Sequence, residues 1–316
     1  MGTCHSPTNM KHFKDRKMLW PKELLYFRRM GSREISEYLE KTPADKRLIL
    51  ITWGVLEAHG PWLPTACDSM MAQVATDKVA HLLYKKHHIQ PIIFNSFADI
   101  GSYSATRDFP GAVAIEGWQE YKPGNSSPIV HIWEQVISRL KKEGFDRFFL
   151  VNGDGGNWAN YWDRPWQKDF KGIRGYLSKK YKIALDGANW DQDGGQPWKH
   201  AGHHEHAFVN WLCLYAPEFE ILAAERAGLK PVSEEYLKTI DGASFGNLED
   251  EKRRRSNWAD YPGQQKLRAV TEFSFAEYKR LLYEDDGVTP RKEGGIAADY
   301  QAKMEKLLKK VLATLD

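Results

Sequence analysis

Residues 145–162 read FDRFFLVNGDGGNWANYW. Phe148 to Val151 form an apolar run that breaks into glycine, and Asn152, Asp154 and Asn157 sit at the break. A short run without polar alternation predicts a strand covered on both faces. A glycine break with polar residues at the end of such a strand is how an α/β enzyme presents a site. Asp154 is open to three readings at this point: a catalytic group, a metal ligand, or a turn residue bonding backbone amides.

The surrounding chain repeats the pattern. RLILITWG (47–54) is a continuous apolar strand ending in Gly54, QPIIFNSF (90–97) a second strand, RFFLVNG a third, and KKYKIALDG (179–187) ends a fourth. Between them lie helical stretches. GSREISEYLEK (31–41) predicts a helix capped by Ser32, without a capping box because the third residue on is Ile35. DSMMAQVATDKVAHLLYKKH (68–87) predicts a helix capped by Asp68 or Ser69, with Met71, Val74, Val79, Leu82 and Leu83 roughly at helical spacing. SPIVHIWEQVISRLKKEG (127–144) and HEHAFVNWLCLYAP (204–217) complete the set. Strand–helix alternation over residues 45–215 predicts an α/β protein: an α/β/α sandwich with a mostly parallel central sheet. IAADYQAKMEKLLKKVLATL (296–315) closes the chain as an amphipathic helix. Residues 1–30 read as an N-terminal extension, and the polar stretch 230–295 as an insertion or lid, so residues 1–316 are expected to form one embellished domain.

Composition narrows the function classes. Lys and Arg number 45 against 42 Asp and Glu, a net charge of +3 that does not point to nucleic acid. The basic run EKRRRSNW (251–258) reads as a solvated loop. Cys4, Cys67 and Cys213 are odd in number and lack metal spacing, which suggests a reducing, cytoplasmic setting without a disulfide framework. No apolar run has the length of a membrane span, and no signal-peptide core is visible at the N-terminus. MGTCHS fits the loose myristoylation pattern and is read as a chance match. Twelve Trp and fourteen Tyr would suit the walls of a pocket for a polar ring, beyond those needed for the core.

Three strand ends carry chemistry. GVLEAHGPWLPTACDS (54–69) offers Glu57, His59 and Asp68; the third strand offers Asp154; WKHAGHHEHAF (198–208) offers His200, His203, His204, Glu205 and His206. Parallel strands bring their carboxyl ends together, so Glu57, His59, Asp68, Asp154 and Glu205 are expected to converge. One imidazole and four carboxylates exceed the needs of one ion and suit two divalent ions with a bridging carboxylate.

These segments resemble the creatininase family. WGVLEAHGPWLPTACDS is similar to its Gly-x-x-Glu-x-His-Gly-x-x-Leu-Pro motif with the following Asp. DFPGAVAI resembles its Phe-Pro-Gly-Thr segment, GFDRFFLVNGDGGN its Asn-Gly-His-Gly-Gly-Asn strand end, HAGHHEHA its His-Ala-Gly-x-x-Glu-Thr-Ser, and GGIAADYQAKMEKL the Gly-rich entry to its last helix. They occur in the family's order. The resemblance implies a metal-dependent hydrolase of α/β/α fold acting on a small molecule, commonly assembled as a homo-oligomer, often a hexamer. It puts Glu57, His59, Asp68 and Glu205 on ligand positions for two divalent ions, zinc or manganese with iron as a further candidate, and makes Asp68 the bridge. It puts His200 on a position facing substrate, as a proton donor or oxyanion stabiliser. Asp154 stands where the family usually has His, Ala112 replaces the Thr of Phe-Pro-Gly-Thr, and His206-Ala207 replaces Thr-Ser.

The resulting expectation is opening of a small polar cyclic substrate by attack on a carbonyl, breaking carbon–nitrogen in a cyclic amide. Trp62, Trp158 and Trp198, beside the three motifs, are expected to wall the substrate pocket. Asp154 is expected to be a fifth ligand. The alternatives are carbon–carbon cleavage of a cyclic diketone such as 3-dehydro-scyllo-inosose, in inositol catabolism, and a non-catalytic sensor or assembly protein that kept the fold.

Overall fold

The computed structural model describes residues 24–57, 59, 63–96, 99, 128–155, 165–167, 170–192, 198–215, 231–239, 241 and 273–315. Its principal sheet has five parallel strands: β1 (Leu25–Tyr26), β2 (Leu48–Trp53), β3 (Ile92–Phe94), β4 (Arg147–Asn152) and β7 (Ala184–Asn189), in the order β1-β3-β2-β4-β7. A separate antiparallel pair, β5 (Pro165–Gln167) and β6 (Phe170–Lys171), lies between β4 and β7 in sequence. The helices around the sheet are α1 (Ser32–Lys41), α2 (Cys67–His87), α3 (Pro128–Lys142), α4 (Gly172–Tyr181), α5 (His203–Tyr215), α6 (Glu234–Thr239), α7 (Phe275–Leu282) and α8 (Gly295–Ala313).

The strands are apolar on both faces because both faces are covered. Leu48, Leu50, Phe149, Val151 and Ala188 point into a core shared with α2, α5, α7 and α8. Their alternating neighbours Ile49, Ile51, Trp53, Phe148, Leu150 and Leu185 point into a second core with α3 and α4, closed by Tyr38 of α1. This is the expected α/β/α sandwich, its two sides distinguished by the two-residue period of a strand. Full burial of a Leu, Ile or Phe contributes about 1.5–3 kcal/mol, so the central strands anchor the domain.

Element ends differ from the sequence reading in three places. The cap of α1 is Gly31, not Ser32, and Glu34 accepts its backbone N–H at 2.7 Å, so the box absent when counted from Ser32 has its acidic half when counted from Gly31. Helix α2 starts at Cys67 after Ala66, without a side-chain cap, so neither Asp68 nor Ser69 caps it. Leu25 and Tyr26, within the stretch read as an extension, form the edge strand beside β3, and Leu24 and Tyr26 are buried. In the 230–295 stretch, the described parts include α6 and α7, whose Tyr236, Leu237, Tyr278, Leu281 and Leu282 are buried in the core.

The register of the central strands sets up the site. Trp53, Asn152 and Asn189 stand abreast at the carboxyl ends of β2, β4 and β7. The ladder continues one step further, with Gly153 N–H donating to Trp53 O at 2.9 Å and Trp190 N–H to Asn152 O at 3.1 Å. The chains leaving these strands therefore start level and side by side.

Candidate metal centre

Close approach of the first turn of α2 to the strand ends brings the acidic residues together. A Cβ on Gly54 would lie 2.5 Å from the Cα and N of Ser69, and one on Gly153 would collide with the backbone carbonyl of Asp68. Both positions need glycine because α2 rests on the backbone that leaves β2 and β4. Glu57 N–H donates to Thr65 O at 2.9 Å, which folds the segment after β2 back toward the start of α2. On the other flank, Ala201 adopts a left-handed backbone (φ 48°) between His200 and α5. Glu205, in the first turn of α5, reaches back to accept the Ala201 N–H at 2.6 Å.

Glu57, His59, Asp68, Asp154 and Glu205 are all buried; Glu57, Asp68 and Glu205 gather around His59, and Asp154 joins the cluster beside Glu57 and Asp68. His59 Nε2 is 3.1 Å from Asp68 Oδ1, 3.6 Å from Glu205 Oε2 and 3.9 Å from Glu57 Oε1. Three sets of side chains offer ligand atoms within 4.8 Å of one another: Glu57, Asp68 and Asp154; His59, Cys67 and Glu205; and Glu57, His59 and His200. His200 Nδ1 is 2.8 Å from Glu57 Oε1, and its ring lies 4.1 Å from that of His59, centroid to centroid. Of the three tryptophans expected in the pocket wall, Trp62 and Trp158 lie outside the described residues. Trp198 is buried; its indole N–H donates to Asp299 at 2.6 Å and its ring packs edge-on to Trp190 at 5.0 Å.

Burial and mutual repulsion make this cluster costly to hold fully ionised. His59 Nδ1 faces the Glu57 backbone oxygen at 3.1 Å, an acceptor only, which favours the proton on Nδ1 and leaves the Nε2 lone pair facing the Asp68 carboxyl, also at 3.1 Å. Burial, reinforced by His200, pushes the His59 pKa down to about 3, which keeps the ring neutral. A lone pair on Nε2 thus points at carboxylate oxygens. Burial, and next the charges of Glu57, Glu205 and Asp154, hold the Asp68 carboxyl well above the usual range. Burial lifts Glu205 to about 8, against the lowering effects of His200 and the Ala201 amide. Asp68 Oδ2 is buried and has no hydrogen-bond partner. A buried polar atom without a partner costs about 1–3 kcal/mol. Either protons shared among these groups or divalent ions resolve such an arrangement, and the donors (neutral imidazole and carboxylate oxygens) are those that divalent ions take. The Nδ1 hydrogen bond to a backbone carbonyl is also the usual orienting contact of a ligating histidine.

Two residues were overlooked by the reading of motifs. Cys67, set aside for want of a metal spacing, has its sulfur beside His59 and Glu205. The cue available in sequence was only that it precedes Asp68 in the first turn of a helix. Asp191, just beyond β7, is buried and raised to about 7 by burial, against lowering by its bond from Gln192 and by the charge of Lys303. Lys303 of α8, fully buried, donates to the Asp191 backbone oxygen at 2.6 Å. Two other histidines of the 200–206 run have partners outside the carboxylate cluster. His206 Nδ1 contacts Gly202 O at 2.9 Å, and the His204 ring stacks on Trp198 at 6.0 Å.

Comparison with known proteins bears on the fold and the family. A family model described as creatininase, creatinine amidohydrolase, matches residues 29–213. No curated protein matches the sequence. A solved structure of creatinine amidohydrolase (creatininase) is similar at TM-score 0.56 and 11% identity, over 92% of this chain and 98% of that one. A manganese form of creatininase is similar at 0.56 and 14%, over 92% and 99%. A zinc–zinc form of a creatininase mutant is similar at 0.55 and 12%, over 92% and 98%. At these identities the solved structures establish the fold alone, but the family model spans more than half of the chain. The five-stranded parallel sheet, its level strand ends and the matched segment agree: this chain belongs to the creatininase family.

Proposed function

We propose that the protein is a metal-dependent hydrolase that opens a small polar cyclic substrate at a carbonyl, breaking a carbon–nitrogen bond of the cyclic-amide type. Membership in the family supports a hydrolase of this kind. The single observation that carries the reading is the convergence of three buried carboxylates, Glu57, Asp68 and Glu205, on Nε2 of His59, with Asp154 beside Glu57 and Asp68. Glu57, His59, Asp68, Asp154 and Glu205 would hold two divalent ions, zinc or manganese, with Asp68 shared between them. Bound there, the ions would supply a water made acidic enough to ionise near neutral pH and would polarise the carbonyl.

The remaining tasks fall to the chain. His200 stands at the edge of the cluster, 2.8 Å from Glu57 and partly exposed, placed to carry a proton between the cluster and a leaving group. Glu57 orients that imidazole. Asp191 and Lys303 brace the backbone that runs toward Trp198 and His200. Trp62 and Trp158 would wall the ring-shaped substrate, with Trp198 supporting the wall from the core side. A creatininase mutant complexed with creatine supports a guanidino or amide substrate class. Assembly as a homo-oligomer, as a hexamer by family resemblance, belongs to the same proposal.

The test is turnover by the metal-loaded protein on creatinine, a series of hydantoins and 3-dehydro-scyllo-inosose. Ring opening of a cyclic amide, abolished by chelation and restored by Mn or Zn, is the expected result. Turnover of the diketone alone would replace carbon–nitrogen by carbon–carbon cleavage. Full metal content with no turnover of any ring would favour a binding protein on this fold.

A further inference from the structure

We infer that Cys67 is a thiolate ligand of one of the two ions, so that one half of the centre binds through nitrogen, sulfur and oxygen and the other through oxygen alone. The inference rests on the cluster being a metal centre, as proposed above. Its own basis is geometric. Cys67 Sγ, a His59 nitrogen and a Glu205 oxygen lie within 4.8 Å of one another, and all three residues are buried. A tetrahedral ion with bonds of about 2.0–2.3 Å brings such ligand atoms to roughly 3.5 Å. His59 Nε2 and Glu205 Oε2 already stand at 3.6 Å. Bringing the sulfur in takes a side-chain adjustment on the order of 1 Å, within what one χ1 rotation of a cysteine achieves.

The position of Cys67 in the fold favours this role over packing alone. It is the first residue of α2, adjacent to Asp68, and α2 is pinned at this turn by Gly54 and Gly153. Its sulfur therefore stays on the cluster. Glu57, Asp68 and Asp154, the second group, contain no nitrogen or sulfur. Where the family usually has a histidine the chain has Asp154, and soft donor character that is lost on that side is gained at Cys67. Thiolate and imidazole select zinc over manganese and magnesium, whereas carboxylate oxygens suit the harder ions. Binding would break the S–H bond, form a sulfur–metal bond and release the proton to solvent.

Cobalt substitution tests the assignment without reference to activity. The intact chain, loaded with Co(II), is expected to show a near-ultraviolet sulfur-to-cobalt charge-transfer band. Cys67→Ser should abolish it and lower zinc affinity at least tenfold, while Cys213→Ser should leave it unchanged. X-ray absorption of the zinc-loaded wild type gives the answer independently of any variant's folding: a sulfur scatterer at about 2.3 Å is expected. A chain that binds two ions with no such band and only nitrogen or oxygen scatterers would overturn the thiolate while leaving the metal centre intact. A chain that binds no ion would overturn both.

Discussion

The two halves of the cluster are alike in burial and position and different in chemistry. Glu57, Asp68 and Asp154 meet where α2 lies against the ends of β2 and β4. His59, Cys67 and Glu205 meet between the same turn of α2 and the start of α5. Both are buried at the carboxyl ends of one sheet, so neither solvent nor topology separates them. Donor type does. Three carboxylates repel one another and need shared protons or a cation, whereas the imidazole of the second half is neutral and its one carboxylate, Glu205, already accepts the Ala201 N–H. Side chains that the fold treats alike thus differ in the ions their donors suit.

The sharpest way to break this division is at Asp68, the proposed bridge. Asp68→Asn is expected to reduce bound metal from two ions per chain to at most one, and turnover by about a hundredfold or more. Metal analysis alongside assay checks it, and retention of both ions would remove Asp68 from the bridge. Asp154→Asn touches one half alone. It should weaken manganese at least tenfold and leave zinc on the His59 side nearly unchanged; equal loss of both metals would show that the halves are not chemically distinct.

Next in size is the seat of α2. Gly153→Ala puts a methyl group into the Asp68 carbonyl, and overpacking of this kind costs about 1–3 kcal/mol. Thermal unfolding with and without metal should show the loss, together with weaker binding of metal, because Asp68 is displaced. The metal-free protein should also respond to pH with a definite sign. Glu205 and Asp191 have folded pKa values raised to about 8 and about 7. Their stabilising effect is full below the ordinary carboxylate pKa near 4 and is lost as pH rises through those values. The midpoint of the chelated protein should therefore fall between pH 5 and 8, and metal should flatten the curve; a chelated protein that gains stability over that range would contradict the reading. The smallest effect lies outside the cluster. Ser274 caps α7, its hydroxyl accepting the Glu277 N–H at 3.3 Å. Ser274→Ala should cost about 1 kcal/mol and leave metal content untouched.

Much of this was legible in the sequence, for physical reasons. Strands covered on both faces must be mostly apolar, and residues 48–51 and 148–151 are. Gly54 and Gly153 marked the strand ends, but not that α2 would press against them, which is a tertiary contact. Glu57, His59, Asp68, Asp154 and Glu205 could be named because polar residues just past parallel strands gather in space. Cys67 could not, because its nearness to His59 depends on how residues 54–67 fold back, a matter of tertiary contact such as the Glu57–Thr65 hydrogen bond. Trp198 was read by adjacency to a motif, but its indole turns inward to Asp299 and Trp190, an orientation that sequence spacing does not encode. The two-residue β1 was missed because so short a strand shows no periodicity.

The central claim is that this buried cluster is a two-ion centre. The direct measurement is the metal content of the purified chain by inductively coupled plasma mass spectrometry, before and after dialysis against excess zinc and manganese. Two divalent ions per chain in the wild type, and no more than one in Asp68→Asn, is the result predicted. A wild-type chain that stays free of metal under both conditions, with its fold intact, would contradict it.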